Sequence, residues 1–125
     1  MNEALFEKGL NTRHEVLGSE YVDSSIKNAD EFTLSHQLLG PQRCWADVWN
    51  RLGMSRDTPS FLGLAMLSAL NRPHEIKLHI HGALNNGMTK EEIKETFLQA
   101  AIYRGAPAAT ESFRSATGVF KEVGV

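Results

Sequence analysis

Cysteine is nearly missing from this chain. Cys44 is the only one in 125 residues, which excludes an internal disulfide, a Cys-x-x-Cys redox pair and a thiolate zinc cage. An excess of either charge is missing too: 13 Lys and Arg stand against 15 Asp and Glu, for a net −2, and the two signs are interleaved. With no basic stripe, neither a nucleic acid nor an anionic membrane is an expected partner. The longest apolar stretch, Phe61 to Leu70, is about half of the ~20 residues needed to cross a bilayer, so it belongs in a core. The opening Met1-Asn2-Glu3-Ala4 shows no basic start with an apolar export signal behind it, and a cytoplasmic location is expected. Gly53 and Gly63 stand alone, without a Gly-rich phosphate loop, a nucleophile elbow or a dinucleotide fingerprint, so a nucleotide cofactor has no visible home.

What is present is ordinary for a globular protein: 42% hydrophobic and 22% charged residues, enough for a real core, at a length typical of one domain spanning residues 1–125. Helical spacing recurs, no alternating β-branched run is bounded by hairpin turns, and the expected class is all-α. Leu5, Phe6, Leu10, Val16 and Leu17 group on a first helix stopped by Gly18. Residues 19 to 29 read as polar and irregular. Phe32, Leu34, Leu38 and Leu39 suggest a helix ended by Gly40-Pro41, and a short aromatic helix follows with Trp45 and Trp49 four apart.

Asp57 is the expected N-cap of a helix running to about Asn71, apolar on nearly every side, as in a helix buried all round or shared with another subunit. Asn71 is the expected cap of the next helix, with Pro73 in its first turn and Asn86-Gly87 as its stop. Thr89-Lys90-Glu91-Glu92 has the capping-box pattern, Gly105 closes that helix and Pro107 opens a last one.

The chemistry-bearing residues concentrate on the helix after Pro73. Arg72, Glu75 and His79 fall at i, i+3 and i+7, with Asn86 seven further on, so the four share one stripe while Ile76, Leu78, Ile80, Ala83 and Leu84 supply the packing surface. Glu75 and His79 are spaced to hydrogen bond, and a carboxylate beside an imidazole is expected to raise its pKa toward neutrality, where it can deliver or remove a proton. Arg72 offers a charged fork for a substrate carboxylate. The same spacing also describes a solvated surface pair with no role.

A metal site built from His74, Glu75, His79 and His81 is the sharper rival. His74 and His79 are five apart, which suits the His-Glu-x-x-His zinc pattern poorly, so no metal is expected. His14 and His36 read as exposed or structural residues, His81 as surface or interface, Cys44 as an inert thiol, and Trp45 with Trp49 as core in preference to a ligand platform.

The run Leu64-Ala65-Met66-Leu67-Ser68-Ala69-Leu70-Asn71-Arg72-Pro73-His74-Glu75-Ile76-Lys77-Leu78-His79, continued by Gly82-Ala83-Leu84-Asn85-Asn86-Gly87, resembles the core of the carboxymuconolactone decarboxylases. The resemblance extends through Thr89-Lys90-Glu91-Glu92-Ile93, Ala101-Ile102-Tyr103 and Gly105-Ala106-Pro107-Ala108-Ala109, and back to Cys44-Trp45 and Trp49. It implies a compact subunit of about six helices, of the alkylhydroperoxidase D-like type, assembled into a ring, a hexamer or trimer of dimers. It also implies a cofactor-free decarboxylation of 4-carboxymuconolactone in the protocatechuate branch of the β-ketoadipate pathway.

By that resemblance His79, Glu75 and Arg72 are catalytic, and His74, Trp49, Arg51 and Asn86 bind substrate. The related peroxidases place a Cys-x-x-Cys pair ahead of a histidine, and with His79 on that histidine the cysteine positions hold Arg72 and Glu75. Gly40-Pro41, His81 and Arg104 depart from the family pattern. Two other readings keep the fold: an isomerase or hydrolase of another small lactone, and a non-catalytic oligomeric binding protein.

Overall fold

The computed structural model describes residues 2–125, and among them the chain is all-α, without a strand. Seven α-helices and one π-helical segment replace the expected six or so helices. No helix among the described residues is long and apolar enough to cross a membrane. Packing divides the chain into two compact units, one ending at Ser55 and one from Arg56 to Val125.

In the first unit, α1 (Glu3–Leu17) opens with the Asn2 side chain accepting from the Leu5 N–H at 3.0 Å and stops at Gly18, whose φ of 90° a side chain would resist. The stretch expected to be irregular is instead helical, α2 (Ser19–Lys27). Its polar composition hid the helix, because a fully buried Val22, with the half-buried Ile26 four residues on, is its only inward anchor.

Helix α3 (Glu31–Gly40) begins with a reciprocal capping box between Asp30 and Thr33. Pro41 does not end the helical path, as the sequence suggested. Gly40 and Pro41 keep helical backbone angles, and the chain passes directly into a π-helical segment (Pro41–Val48), in which Trp49 N–H donates to the Cys44 carbonyl five residues back at 3.0 Å. The wider turn accommodates a proline that would clash with an α-helical carbonyl four back, and Gln42 Nε2 donates to the Leu38 carbonyl at 3.2 Å.

The π segment lies directly on α1. A Cβ on Gly9 would sit 1.7 Å from the Pro41 carbonyl oxygen, so only glycine permits this approach. Asn50 Nδ2 donates to Thr12 Oγ1 at 2.7 Å and to the Trp45 carbonyl at 2.9 Å, closing the segment against α1.

The second unit holds α4 (Asp57–Ala69), α5 (Pro73–Asn85), α6 (Lys90–Arg104) and α7 (Ala106–Val123). Asp57 is the first residue of α4, with Arg56 at the cap, so its carboxylate complements the helix dipole from within the first turn instead of capping it. The helix ends two residues earlier than expected, in a Schellman closure: Asn71 N–H donates to the Ser68 carbonyl and Arg72 N–H to the Leu67 carbonyl, with Asn71 at φ 55°. Asn71 therefore serves the end of α4, and Arg72 is the N-cap residue of α5.

Thr89 and Glu92 form the expected capping box at the start of α6, and Gly105, at φ 111°, separates α6 from α7. Leu64, Ile76, Ile80, Ile93, Phe97 and Val119 form the centre of the core, one or two from each helix. Where α4 meets α7 the packing is close enough for the buried hydroxyls of Ser68 and Ser112 to meet at 2.6 Å. Helix α4 is not covered on every side within the chain: Leu62, Met66 and Leu70, spaced by four, remain exposed.

Candidate active site

Helix α5 takes its orientation from the inward face Ile76, Ile80 and Ala83, each at most 1% exposed. His79 is three residues after Ile76 and four before Ala83, on the shoulder of that face, and is half-buried. Glu75 lies one turn earlier and is exposed, as is His74. Arg72 is not inside the helix: its carbonyl accepts the first helical bond from Ile76 at 2.9 Å, and its exposed side chain leaves from the α4–α5 junction. The expected stripe thus starts from a cap, with Glu75 and His79 following along the helix.

None of the described side-chain hydrogen bonds or ion pairs engages Arg72, His74, Glu75 or His79. The other histidines of the two units differ in this respect where they are near a carboxylate. His14 Nε2 meets Asp23 Oδ1 at 2.7 Å, and His81 Nε2 lies 3.4 Å from Glu122 Oε2. Arg72, Glu75 and His79, on one side of α5 and its cap, are polar groups free to meet a ligand, and His74 is a further one off that stripe.

The protonation of His79 differs from the expectation. Burial lowers its pKa below the ordinary imidazole value, and the Glu75 carboxylate, acting through space, opposes that shift without overcoming it. Burial thus favours the neutral ring in the resting protein.

Asn86 is the C-cap residue of α5, and its Nδ2 donates to the buried Ser60 Oγ at 3.0 Å, tying the end of α5 to the start of α4. Ser60 was not singled out from the sequence. A separation of 26 residues leaves no local signal for such a partner. Arg104 donates from Nε to the Ala69 carbonyl at 2.9 Å, satisfying an end of α4 beside the turn that carries Arg72.

In the first unit, Trp45 is buried, while Trp49 at the end of the π segment is half-buried with its ring 4.9 Å from that of Trp45. Arg51 is exposed, its backbone N–H on the Val48 carbonyl. Cys44 is exposed, and desolvation raises its thiol pKa despite the nearby Arg13 charge, the opposite of an activated nucleophile. Among the described residues no three His, Cys, Asp or Glu side chains converge as metal ligands.

Residues 42–118 match the profile of the Carboxymuconolactone decarboxylase family. The chain is 37% identical over 124 residues to a 4-carboxymuconolactone decarboxylase of Acinetobacter baylyi, covering 99% of this chain and 92% of the relative. It is 40% identical over 112 residues to a nitrosuccinic acid decarboxylase of Metarhizium robertsii, covering 90% of this chain and 78% of that one.

Proposed function

Since the chain belongs to the carboxymuconolactone decarboxylase family and is a carboxy-lyase, we propose that it decarboxylates 4-carboxymuconolactone to 3-oxoadipate enol-lactone. The observation that carries this reading is the set of uncommitted side chains at Arg72, His74, Glu75 and His79, in a chain similar to such a decarboxylase over nearly its whole length.

The substrate supplies its own electron sink. The bond from the γ-carbon to its carboxylate breaks, CO2 leaves, and the electron pair moves through the ring double bond onto the lactone carbonyl as a dienolate. A proton delivered to carbon completes the reaction, so no cofactor is needed. Arg72 holds a carboxylate, His79 delivers the proton and Glu75 favours its charged form. A substrate bearing negative charge beside His79 offsets the burial that favours the neutral ring, drawing the proton onto it as the complex forms. His74, Trp49, Arg51 and Asn86 are assigned to substrate binding, with Asn86 acting from its anchor on Ser60.

The exposed apolar row of α4, with Leu98 and Ile102 of α6 also exposed, supports assembly with further copies into a ring, proposed to be a hexamer. The family match runs across the boundary between the two units and supports treating them as one domain. A cytoplasmic location and a place in the β-ketoadipate pathway belong to the same proposal.

The relative named for nitrosuccinic acid favours a second substrate reading. Loss of a carboxylate next to a nitro group leaves a nitronate, so the same arrangement of carboxylate anchor and proton donor serves an acyclic substrate with a different sink. The test is direct assay of both compounds. Loss of the lactone ultraviolet signal with stoichiometric CO2 supports the first reading, and CO2 release from nitrosuccinate alone supports the second. His79→Ala is expected to lower turnover by about 10²-fold or more. Near-normal turnover in a correctly assembled variant overturns the role of His79.

A further inference from the structure

Between α6 and α7 lies a groove of about 510 Å³ that no residue of α5 lines. Its floor is apolar. Ile93 and Phe97 are buried there, and Phe113 stands edge-on to Phe97 with ring centroids 5.8 Å apart. Phe113 and Phe120 are only half-buried and present ring surface to the opening.

The rim has the opposite character. Lys90, Lys94 and Lys121 line it with a single acidic side chain, that of Glu91. Glu91 is paired with Lys94, which leaves two ammonium groups outside any described ion pair. Lys90 is held at the mouth, its Nζ 4.9 Å above the Phe120 ring centroid.

We propose that this groove binds a small amphiphilic carboxylate, its apolar body on Phe113 and Phe120 and its charged end between Lys90 and Lys121. The volume falls in the range of pockets that enclose small ligands, about 300–1,000 Å³. The apolar floor rewards burial of a hydrocarbon or ring, and the lysines select an anion over a neutral or cationic amphiphile. The site is separate from the Arg72–His79 shoulder and does not depend on the substrate reading.

The test is titration of the full chain with decanoate, followed by amide chemical shifts, with decanol as the uncharged control. Saturable shifts confined to residues 90–97 and 113–125 are expected. A Lys90→Glu, Lys121→Glu double variant is expected to weaken decanoate binding tenfold or more and leave decanol unchanged. Thr117→Trp, which fills the groove, is expected to weaken both. The proposal is overturned by absence of saturable binding, by shifts centred elsewhere, or by equal decanoate affinity in the charge-reversed variant. It is also overturned if charge reversal changes the sedimentation coefficient, which would make the groove a seat for a second copy.

Discussion

Arg104 Nε donates to the carbonyl of Ala69, joining the last turn of α6 to the last turn of α4 across 35 residues of sequence. The Schellman closure occupies the Leu67 and Ser68 carbonyls, so Ala69 has a carbonyl that needs an outside partner, and a cation there also complements the carboxyl end of the α4 dipole. Arg104→Ala is expected to cost about 1 kcal/mol, read from urea unfolding, because the guanidinium is exposed and water replaces part of the bond. Arg104→Lys lacks the Nε geometry and should recover only part of the loss. Full stability in the alanine variant would remove Arg104 from the scaffold of the α4–α5 turn.

The pH profile of turnover follows from the depressed pKa of His79. If His79 donates the proton, kcat/KM reports the free enzyme and should fall as pH rises through a value below the ordinary ~6.5 of histidine. In the complex, substrate carboxylates favour the imidazolium, so kcat should fall at a higher pH. A profile that rises through this range would make the neutral ring the active form and contradict the donor role.

The same shift carries a stability consequence of opposite sign to that of a salt-bridged histidine. Folded His79 takes up a proton less readily than the unfolded chain does, so its contribution is present above pH ~6.5 and is lost as pH falls through its depressed folded value. His79→Gln should therefore lose less stability than the parent between pH 7 and pH 5, as measured by urea midpoints at each pH. Parallel losses in the two proteins would show that His79 titrates as it does in the unfolded chain.

Gly9 has no room for a side chain. A methyl group there meets the Pro41 carbonyl oxygen at 1.7 Å and its carbon at 2.5 Å, both backbone atoms that cannot rotate away. Gly9→Ala should destabilise by about 3 kcal/mol or more, because α1 and the π segment must separate. Gly63→Ala, where the added atom meets nothing within 4 Å, is the control and should gain slightly from helix propensity. Equal thermal midpoints for the Gly9 variant and the parent would contradict the close approach.

The Ser68–Ser112 pair predicts a non-additive result. Ser112→Ala strands the buried Ser68 hydroxyl and should cost about 1–3 kcal/mol, whereas the double alanine variant removes both partners and should cost less than the two single changes added together. Strict additivity in unfolding free energy would mean that the two hydroxyls do not depend on each other.

The helix ends show most clearly what was legible in the sequence. Thr89 with Glu92, Gly18 and Gly105 act through bonds to residues at most four away or through their own φ, so local pattern was enough to place them. The family resemblance was legible for a related reason, since it rests on a nearly continuous run through α4 and α5. At α2 and at Pro41 the local reading broke where packing against a distant element intervenes. Helix α2 has too few apolar residues to announce itself and forms because Val22 has a place to bury. Pro41 signals a stop, yet the backbone widens into a π-helix and continues along α1.

For the proposed site, residue types and spacing on α5 came from sequence alone, as did the absence of any thiol pair for redox chemistry. Only tertiary structure decided that Arg72 is a cap, that Asn86 is tied to Ser60, and that His79 sits on the shoulder of the buried face. That last placement reversed the expected direction of the His79 pKa. Sequence spacing measures the neighbouring carboxylate, whereas desolvation depends on the core packed beside the ring, which no spacing along one helix can report.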